Sequence, residues 1–365
     1  MLSYQVIEHG RPLQSVLRDT PQPVGTEVLV RLTRSGVCHS DLHIWDGYFD
    51  LGGGKRFFVK DRGCIPPFTL GHEPVGRVAA MGPDVRGLPL GGSFVVYPWI
   101  GCGHCAVCIA GQENHCLAHR FVGVCTPGAY STHLMVPHAK YLVDAGDVDP
   151  SFAATLACSG LTTYSAIRKF PLIGASDWVV VLGCGGLGMS AIAMLRAMGI
   201  GNGVGNGNGN GNIVACDIDA AKLARARELG ADATVDTREP DAAAQIAKLS
   251  GGNVAAAIDL VGMPATVSLG LAVLRKGGRL VLCGLFGGEL TLSLPPIVQR
   301  AIGVVGTYVG SLQELREVVA LARSGKLAPL PVQTRPAADV NRSLEELKAG
   351  QVMGRVVLDF EGAEG

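Results

Sequence analysis

The stretch WVVVLGCGGLGMSAIAMLRAMG (178–199) predicts a buried strand, a glycine-rich turn and a helix. Gly183, Gly185 and Gly188 give the spacing G-x-G-x-x-G at the junction. Glycine permits a tight turn there, and it lets backbone N–H groups and the helix N-terminus approach a pyrophosphate. Because the motif stands between a strand and a helix, it predicts a dinucleotide-binding unit.

In such a unit an acidic residue follows the glycines by about 20 residues and binds the adenosine ribose. The candidate, Asp217 in IVACDID, lies 29 residues after Gly188. A Gly/Asn tract, GIGNGVGNGNGNGN (199–212), lies between the two, and such an insertion explains the excess. A carboxylate at Asp217 repels a 2′-phosphate, so the sequence predicts NAD as the cofactor rather than NADP.

The tract is nearly pure Gly and Asn, so it cannot bury a sizeable apolar surface, and glycine loses the most backbone entropy on ordering. We therefore expect a mobile, functionally neutral insertion. A phosphate-cradling loop is the alternative. The tract follows the first helix and precedes the second strand, which puts it at the end of the sheet away from the usual ligand crevice.

Outward from the glycine motif, continuous apolar strands alternate with helices, as in WVVVLG, IVACDI, AAAIDLVG and RLVLCGL. This alternation predicts a parallel sheet covered on both faces. The first 150 or so residues are instead β-rich, with short runs such as EVLVRL and SFVVYP broken by Gly, Pro and Asp. After the parallel sheet we expect a helix from Ser311 to about Lys326 and a last strand around GRVVLDF.

The composition limits the partners. Lys plus Arg equals Asp plus Glu at 31 each, so no net field attracts nucleic acid or an anionic membrane, and a small, weakly charged ligand is favoured. No apolar run of about 18 residues and no secretory leader is evident, which predicts a soluble, cytoplasmic protein. In a reducing cytosol the 11 cysteines suit metal binding better than disulfides.

The strongest metal signal is CGHCAVCIAGQENHC (102–116). Its four cysteines, Cys102, Cys105, Cys108 and Cys116, can wrap their sulfurs around one tetrahedral ion, which is typical of a closed structural zinc site. His104 and His115 are alternative ligands within the same lobe. The remaining alternative is that the cysteines are reduced and bind no metal.

A second, dispersed set combines two sulfurs with one imidazole. Cys38, His72 in GHE and Cys158 in LACSGLTTY would leave a fourth coordination position open, which is the pattern of catalytic zinc. The spacing of these three residues does not by itself distinguish a zinc site from unrelated buried side chains. Taken singly, Cys158 would be a small buried hydrophobic residue and His72 an ordinary hydrogen-bonded histidine.

In the order GVCHSDLH, GHEPVGRV, the four-cysteine lobe, LACSGLTTYSA, GCGGLG, CDIDAAK and GRVVLDF, the chain resembles zinc-dependent alcohol dehydrogenases of the medium-chain dehydrogenase/reductase superfamily. The resemblance spans essentially the whole length. It implies an α/β protein with a GroES-like β-rich catalytic domain at 1–158, which includes a structural zinc lobe at 98–117. A Rossmann-type doubly wound NAD-binding domain at 159–304 follows, and 305–365 returns to the catalytic domain. Two zinc ions per chain and a homodimer or homotetramer are also implied.

The same resemblance implies roles for individual residues. Cys38, His72 and Cys158 bind the catalytic zinc, Glu73 lies behind it, and Asp41 orients His72. Ser40 and His43 form a proton relay, in which an unperturbed imidazole would titrate near neutral pH. The implied cofactor-binding residues are His39, Thr162, Gly183, Gly185, Gly186, Leu187, Gly188, Asp217, Lys222 and Arg355.

These residues predict NAD-dependent interconversion of an apolar alcohol, aliphatic or aromatic, with its aldehyde or ketone. A polyol or glutathione-adduct dehydrogenase is one alternative, although polyol enzymes often carry Glu where this chain has Cys158. A non-catalytic protein that binds zinc and a dinucleotide is the other. Segment 46–70, longer and more aromatic than usual in the family, could roof the substrate site or pack on the surface. Candidate pocket walls are Trp45, Tyr48, Tyr97 and Trp99, and the cysteines read as packing residues are Cys64, Cys125, Cys184, Cys216 and Cys283.

Overall fold

The computed structural model describes residues 1–124, 126–201 and 211–363. Most of the predicted mobile insertion, and Cys125, lie outside the described residues. The strands are β1 (Leu2–Val6), β2 (Gln14–Leu17), β3 (Val28–Val37), β4 (Tyr48–Gly52), β5 (Lys55–Phe58), β6 (Phe68–Thr69), β7 (Pro74–Met81), β8 (Ser93–Val96), β9 (His133–Val136), β10 (Leu142–Asp144), β11 (Trp178–Leu182), β12 (Asn212–Asp217), β13 (Ala233–Asp236), β14 (Val254–Asp259), β15 (Leu274–Leu282), β16 (Gly303–Gly306), β17 (Val332–Pro336) and β18 (Arg355–Asp359).

The α-helices are short and most of them belong to the second half of the chain. They are α1 (His39–Asp46), α2 (Ala106–Ile109), α3 (Pro150–Thr155), α4 (Leu161–Ile167), α5 (Gly186–Ala197), α6 (Ala220–Glu228), α7 (Ala242–Ser250), α8 (Pro264–Val273), α9 (Leu294–Arg300), α10 (Leu312–Arg323) and α11 (Val340–Lys348). One π-helical turn, Leu156–Gly160, joins α3 to α4. Short 3₁₀ turns lie at Val59–Arg62, Glu113–His115, Ala139–Tyr141 and Ala337–Asp339.

The cofactor-type sheet is parallel and six-stranded, in the order β13-β12-β11-β14-β15-β16. Helices connect these strands, and the order is that of a doubly wound dinucleotide-binding sheet. The predicted Rossmann-type architecture is therefore confirmed. The predicted alternation did not include β13 and α7. The chain reverses its direction of winding between β11 and β14, so their carboxyl ends border the crevice where such sheets bind ligands.

The β-rich part is built on a seven-stranded sheet that runs β10-β8-β7-β3-β18-β17, with β9 also paired to β3. The C-terminal strand β18 pairs antiparallel with β3, so the end of the chain joins a sheet begun near residue 28. A three-stranded sheet, β2-β1-β6, lies beside it. The domain bounds at 158 and 304 remain a prediction.

Segment 46–70 contains the antiparallel hairpin β4–β5. The helix expected after Ser311 is present as α10, and it begins with a capping box between Ser311 and Glu314. Across the described residues, no helix has both the length and the apolar composition needed to cross a bilayer.

Candidate active site

Three elements that are distant in the chain deliver the dispersed metal-binding residues to one point. Cys38 caps the N-terminus of α1, directly after β3. His72 lies in the short connection between β6 and β7, and Cys158 lies in the π-helical turn. Such turns are frequent at functional sites because they displace side chains from regular helical positions.

The three side chains are buried and mutually close. The Cys38 and Cys158 sulfurs are 3.9 Å apart, and one ligand atom from each of the three residues lies within 4.8 Å of the others. Two thiols and an imidazole form a ligand set that zinc prefers. The hydrogen bond from Cys158, aided by His72, holds the pKa of Cys38 well below its ordinary value despite burial. A thiolate is the form that binds metal.

His72 is fixed by Asp41, whose Oδ1 lies 3.0 Å from the imidazole Nδ1. The other ring nitrogen, Nε2, is buried, and no hydrogen-bond partner exists for it among the described residues. Burial opposes charge on the imidazole, but the Asp41 carboxylate and Cys38 outweigh it and raise its pKa. A buried ring nitrogen that has no hydrogen-bond partner and lies beside two sulfurs is suited to bind a metal ion.

Asp41 also organises its own helix turn. Its Oδ2 accepts from the Cys38 N–H at 2.9 Å and from the Tyr130 hydroxyl at 2.8 Å. One buried carboxylate therefore orients both a cysteine and a histidine of the same set. Sequence reasoning missed Tyr130, because its contact with Asp41 spans 89 residues and has no local signature.

Glu73 and Arg355 form a buried ion pair behind these residues. Burial raises the pKa of Glu73 to about 7, and the Arg355 guanidinium opposes that rise. The Arg355 side chain also lies against Gly186, where a Cβ atom would collide with it. Its Nε has no partner within the described part of the chain. The sequence did not predict this ion pair. The pair places the Arg355 side chain between Glu73 and the start of α5.

The glycine motif adopts the predicted tight turn between β11 and α5. Gly183 has a φ of +91°, and a side chain at Gly188 would collide with the Gly183 carbonyl. Asp217 lies at the end of β12 and accepts from the Cys184 N–H at 2.6 Å. The glycine turn and the acidic residue are thus adjacent, as a dinucleotide site requires. The other predicted cofactor residues lie on nearby elements: Gly185, Gly186 and Leu187 at the start of α5, Lys222 on α6 and buried Thr162 on α4.

The proposed relay residues lie on α1 under an aromatic cover. Ser40 is half-buried. The His43 ring stacks on Phe49 of the β4–β5 hairpin at 4.7 Å, and His39 contacts it edge-on at 5.4 Å. Burial, with the field of His39, lowers the pKa of His43 to about 4. The expectation of an unperturbed imidazole is therefore wrong, because the hairpin shields His43 from solvent.

The same hairpin reaches the segment that follows β15. Lys55 pairs with Glu289 at 3.2 Å, and Gly287 lies so close to Asp50 that a Cβ atom there would collide with the Asp50 carbonyl. The His39 ring of α1 lies 4.6 Å from Phe286 of the same segment. Of the two alternatives for segment 46–70, these contacts favour the roof over the site.

Of the candidate pocket walls, Trp99 borders the metal-binding residues. Its ring centroid is 5.3 Å from that of His72, and its indole N–H donates to the Ala157 carbonyl at 3.0 Å. Trp45 instead packs in a separate apolar cluster, and the Tyr48 ring lies under Arg56.

The four-cysteine lobe is compact, with all four sulfurs within 4.8 Å of one another. Backbone N–H groups of His104 and Cys105 lower the pKa of Cys102 to about 6. The alternative ligand His104 directs Nδ1 to the Cys102 carbonyl oxygen at 3.1 Å. The sulfur set fits a closed zinc site.

Comparison with known proteins agrees with this geometry. Residues 25–147 match the model of an alcohol dehydrogenase GroES-like domain, and residues 186–324 match that of a zinc-binding dehydrogenase. An NAD-dependent alcohol dehydrogenase of Sulfurisphaera tokodaii is 34% identical over 98% of this chain and 99% of its own. The crystal structure of the alcohol dehydrogenase from Aeropyrum pernix superposes with a TM-score of 0.86, at 31% identity, over 98% of this chain and 100% of its own. The structure of acetophenone reductase from Geotrichum candidum in complex with NAD superposes with a TM-score of 0.83, at 29% identity, over 99% of this chain and 97% of its own.

Proposed function

The chain belongs to the zinc-dependent alcohol dehydrogenase family of the medium-chain dehydrogenases/reductases, and we propose that it interconverts an apolar alcohol with its aldehyde or ketone, using NAD. The observation that carries the proposal is the convergence of Cys38, His72 and Cys158, with the His72 Nε2 atom buried and unpartnered among the described residues.

In this proposal Cys38, His72 and Cys158 hold the catalytic zinc, and the four lobe cysteines hold a structural zinc. When bound, the catalytic zinc supplies Lewis acidity, which lowers the pKa of a substrate hydroxyl. Asp41 keeps the His72 proton on Nδ1, so that Nε2 faces the two sulfurs. Arg355 balances the charge of Glu73 beside them.

The cofactor would lie along the glycine turn, with its pyrophosphate at the N-terminus of α5. Asp217 would accept hydrogen bonds from the ribose hydroxyls, and Lys222, His39 and Thr162 lie on elements around the same crevice. NAD would take a hydride from the alcohol carbon, or return it to the carbonyl in the reverse direction.

Ser40 and His43 would carry the proton between the substrate and solvent. With its pKa lowered to about 4 by burial, His43 is neutral at physiological pH and a weak proton acceptor, so the relay would require this imidazole to become better solvated than it is here. Phe49 of the β4–β5 hairpin stacks on the His43 ring and contributes to its burial.

We also propose a homodimer or homotetramer. Strand β16 is an edge strand of the parallel sheet, and α9 beside it exposes Leu294 and Val298 at 70% and 79%. An unpaired strand edge next to exposed apolar side chains is suited to pairing with another copy. Sedimentation of the purified protein tests this, and a monomer would contradict it. The cytoplasmic location stays a prediction.

The experiment is a substrate panel with zinc analysis. Ethanol, a secondary alcohol, benzyl alcohol and a polyol are oxidised with NAD and then with NADP. We expect two zinc ions per chain and NAD-coupled turnover that is best with an apolar alcohol. Preference for the polyol would support the polyol alternative, and absence of turnover with a full zinc load would support a non-catalytic role.

A matched pair of variants locates the activity. Cys38→Ser removes a proposed ligand, so one zinc and all turnover should be lost. Cys283→Ser alters a cysteine outside both sulfur clusters and should keep zinc and activity. Turnover retained by Cys38→Ser would contradict the assigned site.

A further inference from the structure

Segment 308–310, which leaves β16 and leads into α10, is held by two buried side chains of the β-rich part. Asn114 Nδ2 donates to the Tyr308 carbonyl at 3.0 Å. The Tyr97 hydroxyl donates to the Gly310 carbonyl at 2.9 Å. Asn114 is 3% exposed and Tyr97 fully buried, so both donors are removed from water. Such bonds are costly to break, because each leaves a buried polar group unsatisfied.

Between the two clamped carbonyls lies a strained residue. Val309 has a φ of +45°, a left-handed conformation that is a genuine outlier for a β-branched side chain. Strain of this kind costs on the order of 1–3 kcal/mol and persists only where the surroundings enforce it. The clamp formed by Tyr97 and Asn114 supplies that enforcement.

The Tyr308 ring, 42% exposed, packs on two aromatic rings, one of which borders the candidate metal centre. Its centroid lies 6.0 Å from that of Phe121 and 6.3 Å from that of Trp99. Phe121 and Trp99 meet edge-to-face at 5.4 Å. Because Trp99 contacts His72, the three rings form one apolar wall that begins at a proposed zinc ligand.

Asn114 belongs to the four-cysteine lobe. It lies two residues before Cys116, in the 3₁₀ turn Glu113–His115. Its neighbour Glu113 anchors that turn, accepting from the Gly101 N–H at 3.0 Å, the Lys140 ammonium at 2.8 Å and the Tyr141 hydroxyl at 2.7 Å. The lobe therefore presents Asn114 from a rigid base.

We propose that Asn114 is a positioning residue for substrate specificity, which fixes Tyr308 in the aromatic wall through the Tyr308 carbonyl. The four-cysteine lobe then helps to shape the substrate site as well as stabilising its own fold. This inference rests on the proposed alcohol dehydrogenase activity, because the effect of the aromatic wall is measured as a change in the KM for an alcohol.

The test compares benzyl alcohol, which is large enough to contact the wall, with ethanol, which is not. Asn114→Ala should raise the KM for benzyl alcohol about five- to tenfold, the worth of one buried hydrogen bond, with kcat little changed. The KM for ethanol should change by less than about twofold. Zinc analysis should still give the wild-type content. Tyr97→Phe, which removes the other donor without touching the lobe, should move the same KM in the same direction.

A double-mutant cycle with Tyr308→Ala decides whether Asn114 acts through Tyr308. If it does, the double variant should bind benzyl alcohol no more weakly than Tyr308→Ala alone. Multiplicative effects of the two substitutions, or equal KM changes for both alcohols, would overturn the inference. A wild-type protein without NAD-coupled turnover would instead refute the proposed function, so the two failures are distinguishable. If Asn114→Ala does not fold, Tyr97→Phe completes the same cycle.

Discussion

The Asp41 carboxylate links two residues of the candidate metal centre, since Oδ1 lies 3.0 Å from His72 Nδ1 while Oδ2 accepts from the Cys38 N–H at 2.9 Å. A single buried acid therefore fixes both the tautomer of the imidazole and the start of the helix that follows the cysteine.

Asp41→Asn should lower zinc affinity at this centre about 10- to 100-fold, because the neutral amide is a weaker partner for the imidazole and places an N–H₂ group near another donor. Chelator competition followed by zinc analysis measures the loss. Tyr130→Phe is the matched control, since it removes one hydrogen bond to the same carboxylate and keeps its charge. Equal zinc affinity in Asp41→Asn and wild type would contradict the role assigned to Asp41.

Arg355→Met should destabilise the protein by about 3–5 kcal/mol, because it leaves the Glu73 carboxylate buried without its partner. Urea unfolding measures the change. The double variant Arg355→Met/Glu73→Gln should recover part of the loss, since no uncompensated charge remains. Additive losses in the double variant would show that the two side chains do not compensate each other.

Phe49→Ala should raise the pKa of His43 from about 4 towards its ordinary value, because the stacked ring contributes to its burial. The unfolded chain, with an imidazole pKa of about 6.5, binds more protons between those two values. The wild type therefore loses stability as the pH falls from about 6.5 towards 4. In Phe49→Ala that acid-side loss should be smaller.

The free energy of unfolding is measured at pH 7 and at pH 5 for the wild type and for each variant. The fall between the two pH values is then compared among the proteins. Phe57→Ala is the control, because Phe57 pairs with Phe49 across the hairpin and lies under Arg62. An acid-side loss as large in Phe49→Ala as in the wild type would mean that the hairpin does not set the pKa of His43.

Local patterns predicted the parts of the molecule that form locally. The glycine turn, the strand before it and the four-cysteine lobe each occupy one short stretch, and the structure has them where the sequence puts them. The parallel sheet followed from the repeated alternation, and its doubly wound order from the family resemblance. Strand β13 was missed because its four residues are too few to show a strand pattern, and without that strand the amphipathic helix α7 was not assigned to the alternation.

What could not be predicted depends on contacts between distant residues. Glu73 and Arg355 are separated by 282 positions, and Lys55 and Glu289 by 234. Trp45 was a candidate pocket wall, yet its indole N–H donates to the Arg11 carbonyl within a different apolar cluster. An aromatic residue in a sequence indicates a side chain that will be largely buried, but only the tertiary fold determines which residues pack against it.

Asp217→Asn should weaken NAD binding about 10- to 100-fold, the cost of losing charge-assisted hydrogen bonds to the ribose hydroxyls, and should improve the relative use of NADP. Steady-state kinetics with both cofactors measures the change. Oδ2 of Asp217 accepts from the Cys184 N–H and Oδ1 from the Ile218 and Asp219 N–H groups, so Asn keeps an acceptor on one side only, and urea unfolding of the variant should accompany the kinetics. An unchanged ratio of kcat/KM for NAD and NADP would contradict the assigned contact.

The most direct test is an anomalous diffraction map of the crystallised protein, recorded at the zinc absorption edge. We predict a peak about 2.3 Å from the sulfurs of Cys38 and Cys158 and about 2.0–2.1 Å from His72 Nε2, with a non-protein group in the fourth position. Absence of that peak, or a fourth protein ligand that closes the position permanently, would contradict the proposed catalytic centre.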